Sequence, residues 1–168
     1  HSAVYGYQLL TTPFQSAAHE DGTMIAMQDA VTPWNVTSMV FKQMLSTSPS
    51  DKKNKWTDGV LFPAIMRKGG YTVSFLSNQF YKSNRQTTAD FNGSFFLNSQ
   101  PFDSLCFDNR NSKHYLYDIG LTNSLPKDPL PQKQFIILHL LGQHQPYADR
   151  IPKGKGQFKI EDIKRPDL

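Results

Sequence analysis

The chain has 168 residues, 38% of them hydrophobic and 19% charged, with a formal net charge of +4. This is ordinary globular usage, long enough for one buried core, and it excludes disorder throughout. A single cysteine, Cys106, excludes an internal disulfide and a cysteine-based zinc site, and no apolar run reaches the roughly 18 residues of a membrane span. The positive balance favours acidic ligands only weakly, because the lysines gather in two loops, 51–55 and 153–159, that read as solvated. No basic face interleaved with aromatics is visible, so nucleic acid is not an expected partner. The chain opens at His1 without an initiator methionine and is expected to be an internal part of a longer protein, with any anchor or export signal outside these residues.

In chain order, Thr23–Met27 is predicted to be a strand from its β-branched and apolar content. Met39, Val40, Met44 and Leu45 fall at helical spacing behind Thr37, predicting a helix over 38–45. A second helix is predicted over 59–68, stopped by Gly69-Gly70 and followed by a strand over 71–76. Helix, glycine stop and strand form the second half of a βαβ crossover. From 78 to 111 the sequence turns polar and aromatic and reads as an irregular excursion, and 115–125 reads as a further helix. No internal repeat is present, and no boundary divides the chain into two domains.

The stretch from Phe135 to Leu141 is apolar apart from His139 and lacks the alternation of a half-exposed strand. It predicts a strand with both faces covered, hence a layered α/β fold with a mostly parallel sheet. Ligands in such folds bind at the ends of the strands. The predicted strand empties into a loop that carries His144 among Gly142, Gln143, Gln145 and Pro146, turn-forming residues that present a ring to solvent or ligand. His139 reads either as a core histidine bonded to a neighbouring carbonyl or as part of a site. Thr37 likewise has two compatible readings. A threonine at a helix start is commonly an N-cap; the same position beside free N–H groups suits a nucleophile attacking a phosphoryl group.

Several segments together carry a family likeness. They are His1–Tyr7 with Thr11-Thr-Pro13, Val31–Thr37 leading into a helix, Met66–Tyr71 with Ser77-Asn-Gln79, Leu138–Tyr147, and Arg150-Ile-Pro152. In order and spacing they resemble the bacterial phosphoethanolamine transferases of the alkaline phosphatase and sulfatase superfamily, in the branch that modifies lipopolysaccharide core. The resemblance implies an alkaline-phosphatase-like three-layer α/β/α sandwich, of which residues 1–168 form an incomplete periplasmic catalytic domain. It also implies an inner-membrane-anchored enzyme, held by segments outside this chain, that moves phosphoethanolamine from phosphatidylethanolamine to a lipopolysaccharide or other glycan acceptor.

By the same resemblance Thr37 is the zinc-bound nucleophile that forms a phospho-threonine intermediate, with Thr32 and Ser38 as neighbouring hydroxyls. His144 is the residue that contacts the donor phosphate or a second zinc, and His139 helps to line the site. Gln145 and Ile151 depart from the family pattern, which has glycine and tyrosine there. The family's remaining zinc ligands, a glutamate ahead of the Tyr-Gly-Tyr motif and a distant Asp-His pair, fall outside this chain. The 168 residues alone are therefore expected to bind zinc weakly and not to turn over. A related phosphoglycerol transferase and a non-catalytic binding domain stay open. A true sulfatase would need Cys/Ser-x-Pro-x-Arg, and Cys106 has no such setting.

Overall fold

The computed structural model describes residues 3–32, 34–48, 55–81, 100–125, 132–142, 144–158 and 162. The chain forms two compact units, His1–Asn35 and Val36–Leu168. Among the described residues no helix is long and apolar enough to cross a membrane.

The first unit holds a 3-10 turn, Ala3–Tyr5, and helix α1, Pro13–Glu20. Pro13 opens α1 at a position where its missing N–H costs nothing. The strand predicted at Thr23–Met27 does not form. Thr23 instead folds back, its N–H and hydroxyl both donating to Asp21 Oδ1 at 2.9 and 2.6 Å, an Asx turn that competes with extended pairing. Ile25 and Met27, the apolar residues that suggested a strand, stand exposed.

The second unit contains helices α2 (Thr37–Met44) and α3 (Phe62–Lys68), strand β1 (Thr72–Ser77), helix α4 (Gln100–Cys106), strand β2 (Asn109–Arg110), helix α5 (Asp118–Thr122) and strand β3 (Gln134–His139). The three strands pair in parallel in the order β2-β1-β3, with Thr72 opposite Gln134 and Ser77 opposite His139. Parallel pairing requires crossovers, and the order of helices and strands bears out the expected α/β class. Gly70, at φ +80°, turns the chain from α3 into β1, as the glycine pair predicts. The predicted helix over 115–125 is realised as the shorter α5.

The region from 78 to 111 is more regular at its end than its composition suggests. Residues 82–99 lie outside the described ones, but α4 and β2 follow. Strand β2 is fixed to β1 by side chains as much as by its short ladder. Asp108 Oδ2 accepts from Val73 N–H at 2.8 Å, and the Asn111 carboxamide exchanges two 2.8 Å bonds with the Ser77 backbone, standing in for a strand residue. Polar residues used this way carry no strand signal in a hydropathy pattern.

The fully covered strand is β1, not β3. Val73, Phe75 and Ser77 are all 0% exposed, whereas β3 is only partly buried and Leu138 is exposed. The core gathers Phe41 and Leu45 around α2, Leu61 and Ala64 from the α3 region, Val73 and Phe75 of β1, Phe80, Cys106 and Phe107. Phe41 meets Phe75 edge-on, ring centroids 5.8 Å apart, which fixes α2 against the sheet.

Candidate active site

Thr37 is the first residue of α2, and Val36, in extended conformation, occupies the cap position. The N-cap reading of Thr37 is thereby set aside: a cap residue has non-helical backbone and bonds an amide two or three residues on, and Val36 has no side chain for that. The Thr37 hydroxyl makes no hydrogen bond among the described residues. It sits beside the first orphan amides of the helix, where an anionic group is favoured. One turn on, on the same helical face, Phe41 packs edge-on against the His139 ring at 5.0 Å. The second turn of α2 thus packs on the C-terminal end of β3, the edge at which this fold class binds ligands, and Thr37 lies one turn before it on that face. Of the neighbouring hydroxyls, Ser38 is buried and Thr32 donates to Trp34 O at 3.1 Å.

His139 ends β3 inside an aromatic wall. Its ring stacks on Phe80 at 5.1 Å and lies parallel to Phe75 at 6.4 Å. Its Nδ1 is 2.9 Å from Ser77 Oγ rather than bonded to a carbonyl. Ser77 Oγ accepts from Gln79 N–H at 3.1 Å and from Phe80 N–H at 2.7 Å. A hydroxyl has two acceptor sites and one proton, so that proton must go to His139 Nδ1. The geometry therefore assigns the neutral ring with its own proton on Nε2, a form in which neither nitrogen offers a spare lone pair to a metal.

Burial pushes the His139 pKa down from 6.5 to about 4, against a smaller upward pull from Asp118. The folded state then binds fewer protons than the unfolded state between those two values, and stability falls as pH drops from 6.5 towards 4. The expected loss is about 3 kcal/mol. Urea unfolding at pH 7, 5.5 and 4.5 should show it, and His139→Gln should flatten the slope; an equal slope in both would overturn the assignment.

His144 lies beyond β3 in an exposed loop, its Nδ1 3.0 Å from the Gln145 carbonyl. A carbonyl only accepts, so Nδ1 carries the proton and Nε2 of the neutral ring keeps its lone pair for a ligand. Arg150 holds the loop from its far side, Nε donating to His144 O at 3.1 Å and Nη2 reaching Gln145 O at 3.5 Å. The two histidines therefore differ: His139 is a neutral donor set in the wall, and His144 is an open acceptor.

Three residues that sequence reasoning did not select organise this edge. They are Ser77, already described, Asn78 and Asp118. Asn78 Nδ2 donates to Asp118 Oδ1 at 2.8 Å, and Asn78 N–H donates to His139 O at 2.9 Å. Ser77 and Asn78 belong to a segment quoted for its family likeness, but Tyr117-Asp118 looks like any helix start. Cys106 is 0% exposed, and burial raises its thiol to about 11, so it is no candidate nucleophile.

Thr37 and His144, the metal ligands that the resemblance implies, would supply only two of the roughly four donors zinc takes. Among the described residues no group of three or more His, Cys, Asp or Glu lies close enough to hold a metal ion. These residues do not make a zinc site by themselves. The isolated chain should compete poorly with a chromogenic zinc chelator, and tight one-to-one uptake would contradict this.

The sulfatase family profile matches residues 1–166, nearly the whole chain. The chain belongs to the sulfatase family. This sulfatase-family chain is 27% identical over 165 residues to the phosphoethanolamine transferase CptA of Salmonella typhimurium, covering 93% of the chain and 27% of that relative. It is 26% identical over 165 residues to the phosphoethanolamine transferase EptC of Escherichia coli K12, with the same shares covered. The chain thus spans about a quarter of the length of these relatives. In fold it is similar to the C-terminal periplasmic domain of EptC from Escherichia coli in complex with Zn, with a TM-score of 0.68 and 24% identity over 94% of this chain and 44% of that one. A second crystal structure of the same domain gives a TM-score of 0.65. The family resemblance and the alkaline-phosphatase-like α/β class expected from the sequence are both borne out.

Proposed function

We propose that the protein containing this chain transfers phosphoethanolamine from phosphatidylethanolamine to a lipopolysaccharide or other glycan acceptor, at the periplasmic face of the membrane. The observation that carries the reading is the Thr37 hydroxyl, unengaged among the described residues, at the start of α2 and one turn before Phe41, which packs on His139 at the C-terminal end of β3, in a chain whose relatives are phosphoethanolamine transferases. Thr37 Oγ1 attacks the donor phosphorus, the bond to the diacylglycerol oxygen breaks, and the threonine proton leaves with the diacylglycerol. The acceptor oxygen then displaces Thr37 and returns its proton. The orphan amides of α2 stabilise charge on the phosphoryl oxygens. His144 offers its Nε2 lone pair to a metal, and His139 lines the wall with its Nε2 proton.

Zinc forms part of this proposal as it does of the resemblance: Thr37 and His144 would hold it together with ligands outside the described residues, and it would activate the threonine hydroxyl as a nucleophile. The test is mass spectrometry of envelope glycolipids from cells with and without the protein at its natural length. An added phosphoethanolamine mass supports the reading. A phosphoglycerol mass would replace the donor, and no added mass would remove the transferase function in favour of a binding role.

A further inference from the structure

We propose that Asp118 is the positioning residue of the histidine loop, its carboxylate gripping the backbone at Leu141 and Gly142 so that His144 is presented at the C-terminal edge of the sheet. Asp118 opens α5, where an acidic side chain would ordinarily serve its own helix. Here its carboxylate bonds to groups elsewhere in the fold. Oδ1 accepts from Leu141 N–H at 3.0 Å and from Asn78 Nδ2 at 2.8 Å, and Oδ2 accepts from Gly142 N–H at 2.7 Å. One carboxylate thereby joins the end of β1, the start of α5 and the exit of β3.

Its partner Asn78 is itself fixed. Asn78 Oδ1 accepts from Tyr115 N–H at 2.6 Å, and its Nδ2 also donates to Tyr115 O at 3.0 Å. Burial tends to raise the Asp118 pKa, but bonds from Gly142, Leu141 and Asn78, with the Arg150 charge, outweigh it and hold the carboxyl below its usual range. Beyond the grip the chain turns at once: Gly142 has φ +57°, and His144 N–H donates back to Leu141 O at 3.2 Å. The amides that Asp118 holds are two and three residues from His144, so the ring inherits its place from them. Arg150 closes the loop from the other side.

The catalytic part of this inference rests on the transferase reading; the grip itself does not. Asp118→Asn keeps the shape but turns one acceptor oxygen into a donor, and three donors face that site. In the protein at its natural length, hydrogen exchange of peptides covering 140–145 should quicken roughly tenfold or more while β1 and β3 stay protected. Phosphoethanolamine release from phosphatidylethanolamine in mixed micelles should fall about a hundredfold in kcat with KM little changed. Asp118→Glu, which retains the charge, should recover much of both. If the amide variant does not fold, the Glu variant carries the test: loop exchange and kcat moving together support the inference. A loop as protected as in the parent removes the grip, and a loosened loop with unchanged kcat removes the positioning role. No turnover in the parent would refute the transferase reading, and the exchange measurement would still decide the grip.

Discussion

Replacing Thr37 with alanine is expected to abolish phosphoethanolamine transfer while leaving the fold as stable as before. The two halves of this result have separate physical causes. Loss of an attacking hydroxyl removes the only atom that can form the covalent intermediate, and such losses cost a thousandfold or more in rate. Stability is spared because Val36, not Thr37, holds the cap position, and because the hydroxyl makes no bond among the described residues. Alanine also suits a helix better than threonine. The change in unfolding free energy should stay within about 0.5 kcal/mol. Glycolipid mass spectra at equal protein level check the first half, and urea melts check the second. An undiminished phosphoethanolamine adduct would remove Thr37 from the mechanism. A destabilisation near the roughly 1 kcal/mol of a lost cap would restore the capping role.

Ser77→Ala should have the largest effect on stability of the changes near this edge, about 2–4 kcal/mol. The serine is 0% exposed and its oxygen accepts two backbone amides, those of Gln79 and Phe80. Phe80 is itself 1% exposed, so its N–H is left without water when the oxygen goes. The hydroxyl proton that holds His139 Nδ1 is lost as well. For a chain of this size the melting temperature should drop by roughly 5–15 °C. A second readout separates this account from simple loss of packing. The imidazole nitrogens of His139, followed by NMR, should show the Nε2-protonated form in the parent and a mixture of tautomers in the variant. A drop under about 2 °C, or a pure Nδ1-protonated ring in the parent, would contradict the assignment.

Some of this protein is written in local sequence. Gly69-Gly70 ends a helix and starts a strand because a positive φ is cheap only without a Cβ, and Gly70 adopts it. The helix behind Thr37 and the apolar strand ending at His139 follow from periodicity and β-propensity, and the structure has both within a residue or two. Thr23–Met27 misleads because composition cannot say whether a strand has a neighbour; an Asx turn is the local alternative that won. Strand β3 has the more apolar sequence, yet among the described residues β1 is the covered strand, since there it has a strand neighbour on both edges.

The sequence by itself determined the class of fold, through its periodicities and glycine stops, and the family, through short motifs spread along nearly the whole chain. It singled out Thr37, His139 and His144 by residue type and place. Only the tertiary structure decided what those residues can do. The direction of a proton depends on acceptors 62 residues away, as between Ser77 and His139. The clamp on the histidine loop depends on a carboxylate 23 and 24 residues before the amides it holds. Hydrogen bonds are directional and short, so tautomer, capping and loop position are settled by long-range geometry that no local pattern encodes.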